Sequence, residues 1–459
     1  MLARIQAAYE AFRNPVLTRT LAWDGARGGK RLDSWRPKPV SVGSWESNPT
    51  LIRGRSQDAF RNIPYIRRGV DAICGATVGG GGMLAQLPKN LRSAWARFQA
   101  QFDARFQWQV LQTVIVSGEC FVRLFLEDGP GHPLRLQLLG PEYLDTSKTD
   151  KATREGIEFQ GHNRSAYWMF EAAPSSLNPP RSVRIPADQV LHIYRPTYAG
   201  DQRGVSWLAP ILLAARDLLE LNEAYLTRAK TGALFAGFIR TLDGGNPLGT
   251  TGGRSNTDGV GLTLEPGSLC VLRDGETFEE SHPPDFSSAL DPFIRSYVRQ
   301  IAAGLNIPYE VLSGDYSQVT YASGRAGILE WRRQVDSIQY NLLVPQLCEP
   351  VFRRWFELHS GLGNVDQVEP PLVRWIGPTI EALDPRAEVL AQVSRVRAGL
   401  QPRSEVIAST GWDAEDVDAQ IAADNARADK LGLVFDSDPR RVTSQGQTQQ
   451  TQTDGGTQE

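Results

Sequence analysis

Asp315, Tyr316, Gln318, Thr320 and Tyr321 are the residues best suited to touch a ligand, and all stand in the run NIPYEVLSGDYSQVTYASGRAG. They offer a carboxylate, two phenols, an amide and a hydroxyl, with no nucleophile beside a histidine. Contact with a polar surface is the chemistry such a set could perform. The same residue types also serve local structure: Ser313-Gly314-Asp315 is turn chemistry, and Thr320, Tyr321, Ala322, Ser323 and Gly324 supply N-cap candidates for a following helix.

Other candidates for chemistry fail on spacing. GARGGK at residues 25–30 resembles a phosphate loop, but Arg31 stands where Ser or Thr must ligate magnesium. GGNPLG from Gly244 does not satisfy the dinucleotide pattern, and no parallel strand-to-helix unit surrounds it. The five histidines never sit four apart with a glutamate between, nor beside a cysteine, so neither a metal site nor a cofactor is signalled. Ser117-Gly118-Glu119-Cys120 lacks the nucleophile elbow and runs into a strand-like stretch, which makes it a turn before a core strand. Asp188 and His192, on a strand, would lie ~13 Å apart by rise and share no acid-base task. A hydrolase drawing on Asp315, His192 or Glu119 from dispersed positions is the alternative from another class, and it would need a small particle with turnover.

The elements that must carry these residues are legible from periodicity. Ile294, Val298, Ile301 and Leu305 recur at helical spacing before the loop, and Ile328, Trp331, Val335, Ile338 and Leu342 recur after it. Two one-faced helices therefore flank residues 306–324, and the second is interrupted near Pro345 and closes about Trp355. Upstream, residues 48–78 are helical with a break at Pro64. CFVRLFL, LRLQLL, AYWMF and QVLHIY read as strands, giving an α+β domain with a largely antiparallel sheet. Residues 208–230 form an amphipathic helix, residues 232–285 a small β excursion with a polar insertion at 244–259, and residues 384–432 short helices with a stop at Gly411 and Asp413 as an N-cap. As a helix-turn-helix reader the last pair fails, because AEDVDAQIAADNARADK is acidic where phosphates must be met. The first 50 residues read as an extended arm, and RRVTSQGQTQQTQTDGGTQE as a disordered tail.

IAAGLNIPYEVLSGDYSQVTYASGRAGILEWRR resembles the long signature of the lambda-type bacteriophage portal proteins. Further segments agree in the same order: RGRSQDAFRNIPYIRRGVDAICGATVGGGG, SGECFVRL, IPADQVLHIYRPTYAGDQRGVSWLAP, LEPGSLCVLRDGE and GWDAEDVDAQIAADNARADKLGL. The resemblance covers roughly residues 30–435. It implies an N-terminal arm (1–50), a mixed α/β wing (51–207), a stem helix (208–231), a clip (232–285), a second stem helix (286–305), a tunnel loop (306–324), a long helix returning to the wing (325–383), a helical crown (384–435) and a tail (436–459). It further implies a cyclic homo-oligomer, expected as a dodecamer, at one capsid vertex of the virion, assembled in the host cytoplasm. The implied partners are the terminase large subunit, the major capsid protein or scaffold, head-tail adaptor proteins, and double-stranded DNA passing through without sequence recognition. Asp315, Tyr316, Gln318, Thr320 and Tyr321 would then face the channel. Another ring component of the same vertex is a further alternative, but those chains are usually much shorter.

Composition agrees with a conduit. The chain has 459 residues, 41% hydrophobic and 22% charged, an ordinary globular balance with ample length for a core. A formal net charge of −3 argues against a conventional nucleic-acid binder. It does not argue against a channel, since a lumen that gripped phosphates would hold DNA where it must slide. Charge is uneven: residues 1–70 hold 13 Lys/Arg against 5 Asp/Glu, whereas residues 381–459 hold 8 against 14. Differently solvated surfaces explain this, as does a basic arm meeting an acidic partner or DNA. Cys74, Cys120, Cys270 and Cys348 are scattered among apolar residues and are expected as buried free thiols. No signal peptide and no membrane span is expected, so the chain reads as soluble when made. Tryptophans such as Trp23, Trp35, Trp45, Trp95, Trp108 and Trp207 suit large interfaces as well as cores.

Overall fold

A computed structural model describes residues 49–129, 131–174, 180–234, 237–241, 276–280, 287–363, 369–378, 384–410, 412–433 and 435. The arm, most of the β excursion with its insertion, Cys270, Gly411, the tail, and Trp23, Trp35 and Trp45 lie outside them. Among the described residues the chain mixes helices with antiparallel sheets, an α+β architecture.

Two helices open it, α1 (Pro49–Asn62) and α2 (Pro64–Thr77). Pro64 breaks the run and then starts α2, where its missing N–H costs nothing. Ile66, Val70, Ile73 and Cys74 give α2 a buried stripe. Gly69 lies in it because a Cβ there would meet Leu305 Cδ1 at 2.5 Å. Next come a short strand, β1 (Leu84–Gln86), paired antiparallel with Arg374–Ile376, then α3 (Lys89–Gln99), which buries Leu91, Trp95 and Phe98, and α4 (Ala104–Ser117), capped by Asp103 accepting from the Phe106 N–H at 2.9 Å.

The expected single sheet is in fact two. In one, β2 (Glu119–Leu126) is the centre, between β3 (Leu134–Leu139) and β8 (Val190–Tyr194), all antiparallel. The other runs β4 (Thr153–Arg154), β5 (Ile157–Gln160), β6 (Asn163–Phe170) and β7 (Ser182–Pro186). Alternation along β2 explains the division: Cys120, Val122 and Leu124 face the main core, while Phe121 joins a separate cluster with Ile157, Tyr167, Met169 and Ile185. A strand buried on both faces looks continuously apolar, so its sequence does not show that two cores meet across it.

Helix α5 (Leu212–Leu234) and helix α6 (Ser287–Leu305) bracket an antiparallel pair, β9 (Gly237–Thr241) and β10 (Glu276–Glu280). α6 lies against the turn that leads into α5: a Cβ on Gly304 would collide with Ile211 Cγ2. After the intervening loop, α8 (Tyr321–Ile338) passes into a π-helical stretch, Gln339–Cys348, and on into α9 (Glu349–Gly361). Pro345 therefore widens the helix instead of ending it, and the helical path closes at Gly361, not Trp355. A π-turn accommodates a residue that cannot donate to the ladder. The buried face carries Trp331, Val335, Leu347, Phe352 and Trp355, and Trp95 meets Trp355 edge-on at 5.1 Å. Trp95 is thus a core residue, not an interface anchor, while Trp108 and Trp207 are partly buried.

The C-terminal helices, α10 (Pro385–Arg397), α11 (Arg403–Ser409) and α12 (Ala414–Leu431), bury only Ala408 and Ala428. Asp413 caps α12 as expected, accepting from the Glu415 N–H at 2.8 Å. Arg92 on α3 joins them to the body, pairing with Asp413, Glu415 and Asp416 at 3.3, 3.2 and 2.8 Å.

Candidate functional site

Residues 306–324 are more structured than a polar loop. Asn306, at φ 57°, turns the chain out of α6, and a short helix, α7 (Tyr309–Ser313), follows. Ile307 and Leu312 are buried beneath it, and Arg68 on α2 donates through Nε to the Val311 carbonyl at 3.0 Å. Gly314 closes α7 at φ 73°, a conformation that a side chain resists. The polar stretch proper is therefore about half as long as its sequence suggests.

Asp315 acts as a turn residue and a tether. Its Oδ1 accepts from the Ser317 N–H at 3.1 Å, while Oδ2 accepts from Tyr309 Oη at 3.4 Å and lies 3.5 Å from Arg295 on α6. The bonds from Ser317, with Arg295 assisting, hold the carboxyl below the usual aspartate range. Thr320 is the N-cap of α8 in a reciprocal capping box with Ser323. Tyr321 lies in the first turn of α8. Tyr316, Gln318, Thr320 and Tyr321 are all exposed. Thus one of the five candidates is largely committed to structure, one both caps a helix and faces outward, and three are free for contact.

A second polar centre joins Glu119 and His192, which the sequence offered only as dispersed candidates, to Arg53 and Arg203, which it did not single out. Glu119, the first residue of β2, is fully buried. Arg203 donates through Nε to both carboxylate oxygens at 2.9 Å and through a terminal nitrogen to Oε1. Arg53 on α1 reaches Oε1 at 3.1 Å, the Gly204 N–H reaches Oε2 at 3.1 Å, and His192 Nε2 stands 3.1 Å from Oε2. Arg203 also binds Glu155 at 3.0 Å, so two guanidiniums answer two carboxylates. Burial opposes the charge on Glu119, but Arg203 and His192 outweigh it and keep the carboxyl well below its ordinary range. Burial pushes His192 down to about 4 despite Glu119, so the ring is neutral near pH 7. An ionised carboxylate only accepts, which places the imidazole proton on Nε2.

This centre ties α1, β2, β8 and the approach to α5 together. Close backbone contact makes it possible: Gly118, at φ 93°, would place a Cβ 2.6 Å from the Val205 carbonyl carbon. The hydrolase alternative does bring two of its three residues together, but in a sealed ion cluster with Glu119 spent on its donors. Asp315 is occupied elsewhere, with Ser317, Tyr309 and Arg295, and Asp188 is exposed. A glutamate opening an apolar strand, next to a glycine, was the only signal in the sequence. Among the described residues no group of three or more potential ligands could hold a metal ion, and no helix is long and apolar enough to cross a membrane.

The chain matches the profile of phage portal proteins of the lambda family over residues 28–339, and it belongs to that family. It is similar to a probable portal protein of Halomonas phage phiHAP-1, 27% identical over 353 residues, covering 72% of this chain and 66% of that protein. It is also similar to portal protein B of Escherichia phage lambda, 23% identical over 89% of this chain and 90% of that one. The chain therefore spans just under two thirds of the Halomonas phage protein and nine tenths of the lambda protein. Among solved structures, the neck of a native gene transfer agent particle computed with C12 symmetry is 16% identical with a TM-score of 0.47, covering 82% of this chain and 96% of that one.

Proposed function

We propose that the chain is the subunit of a closed ring that conducts double-stranded DNA at a single capsid vertex during packaging, head-tail joining and ejection. Family membership is the observation that carries this reading. The stem supports it: beyond the contact of Ile211 with Gly304, Leu213, Leu226 and Phe293 stand 74%, 53% and 48% exposed, an apolar surface that neighbouring subunits would cover. Residues 49–207 correspond to the wing, α5 and α6 to the stem, β9 and β10 to the base of the clip, and α10, α11 and α12 to the crown.

The loop after α6 would face the channel with Tyr316, Gln318, Thr320 and Tyr321, and Asp315 would set its shape. Between residues 306 and 324 there are two acids, Glu310 and Asp315, and no Lys or Arg. Such a loop touches the duplex without gripping its phosphates, so force must come from a separate ATPase, the terminase large subunit. Capsid protein or scaffold and head-tail adaptors are the other expected partners, and twelve is the expected copy number. The role is structural, not enzymatic.

The test is the mass and symmetry of the purified full chain, alone and co-expressed with capsid and scaffold proteins. Rings with a central opening and a mass near twelve times 50.7 kDa are expected. A monodisperse monomer or dimer that persists with those partners present overturns the reading.

A further inference from the structure

The C-terminal helices carry two apolar stripes that their own chain leaves open. On α10 the side turned toward the body holds Glu388, Gln392 and Val396, all half-buried, with Glu388 meeting Arg332 at 3.5 Å. The opposite side carries Arg386, Val389, Leu390, Val393 and Arg397, all exposed, and helical spacing gathers them into one stripe with an arginine at each end. Val389, Leu390 and Val393 stand 56%, 59% and 41% exposed. On α12 a second stripe runs through Val417, Ile421, Ala428 and Leu431, and Asp418 and Asp424 flank Ile421. Ala428 is buried and Val417 half-buried, whereas Ile421 and Leu431 are 45% and 64% exposed. Because both stripes stay exposed, neither covers the other within one chain. A helix of 13 residues that buries none of them draws its stability from packing that a single chain does not supply.

We infer that the α10 stripe of each copy docks on the α12 stripe of the next copy of this chain. The charges are hydrated and need no partner, but they decide what may lie opposite. Two α10 stripes face to face would set arginine against arginine, and two α12 stripes aspartate against aspartate. α10 against α12 sets Arg386 and Arg397 against Asp418 and Asp424. Both acids make exposed ion pairs within the chain, with Arg403 and Arg427, and such pairs exchange at little cost. A contact between two different faces is head-to-tail, the kind that propagates from copy to copy until a ring closes. The inference rests on the ring proposed above and adds to it a second contact, remote in sequence from α5 and α6.

The test is cross-linking of assembled full-length chain with a short bismaleimide, using Val393→Cys and Ile421→Cys singly and together. Cys74, Cys120 and Cys348 are buried, and the native chain serves as the control for background reaction. The double variant should give a ladder of covalent oligomers on assembly, an equal mixture of the two single variants should stop at dimers, and either single variant alone should give none. Val393→Asp should leave the urea midpoint of the unassembled chain unchanged and raise the concentration needed for rings roughly tenfold or more. Rings without a link between 393 and 421, links within one single variant alone, or rings indifferent to Val393→Asp overturn the inference and leave the ring itself standing; the stripes would then belong to another partner. Absence of rings even with capsid and scaffold proteins present overturns both.

Discussion

His192 and Glu119 make acid sensitivity a property of single residues. His192 titrates near 4 when folded against 6.5 in a free chain, so between those values the unfolded chain binds the extra proton and stability falls as pH drops. The full effect is about 3 kcal/mol, from roughly 1.4 kcal/mol for each pH unit of displacement. His132, pushed down to about 4 by burial, acts in the same direction. The depressed Glu119 carboxyl adds a further loss once pH falls below the usual glutamate range. Urea midpoints measured from pH 7 to pH 4 should decline throughout, and His192→Gln should flatten the upper part of that decline; parallel profiles would refute the assignment. Glu119→Gln leaves Arg53 and Arg203 buried without their shared charge and should cost roughly 3–5 kcal/mol, read by the same unfolding curves.

At the scale of elements, the start of α8 rests on the Thr320–Ser323 box. Thr320→Ala should cost about 1 kcal/mol, read as faster amide exchange over residues 322–326 with the rest of α8 unchanged. Uniform exchange along the helix would show that packing of Trp331 and Val335, not the cap, sets its stability. These two residues also illustrate what could be read in advance. Helical spacing exposed the stripes on α6 and α8, and cap chemistry marked Thr320 and Asp413, because both signals are local. The two sheets, α7 and the π-helical passage at Pro345 were not legible. Each depends on contacts with distant chain, such as Arg68 with Val311 or Phe121 with Tyr167. Within the loop, that Asp315 is tethered to Arg295 could be known only from the fold. The Glu119 cluster was hidden for the same reason, since Arg53, His192 and Arg203 are unremarkable until they converge.

For the whole molecule, the attachment of the C-terminal helices is electrostatic to an unusual degree. Arg92 is 26% exposed in its side chain and faces three carboxylates, while α10 buries no residue. Arg332 adds a contact to Glu388 at 3.5 Å. Exposed ion pairs are weakened by salt, so these helices should loosen as ionic strength rises while residues 49–207 stay folded. Arg92→Glu should expose residues 398–402 to limited proteolysis at low salt, as high salt does for the native chain. Cleavage at the same rate in both proteins would mean that apolar contact governs the docking.

The side-chain amide of Gln339 donates to the Thr77 carbonyl across 262 residues of chain, and Trp95 rests on Trp355 and Trp375. On a ribosome adding about 5–20 residues per second, α2 and α3 must wait roughly 10–50 s for the strands of sequence that cover them. During that interval Trp95 and Phe98 face water or a chaperone. Lower growth temperatures and abundant holdase should therefore raise the yield of folded chain more than any substitution in the finished protein, and premature termination within α5 or α6 should give an insoluble fragment.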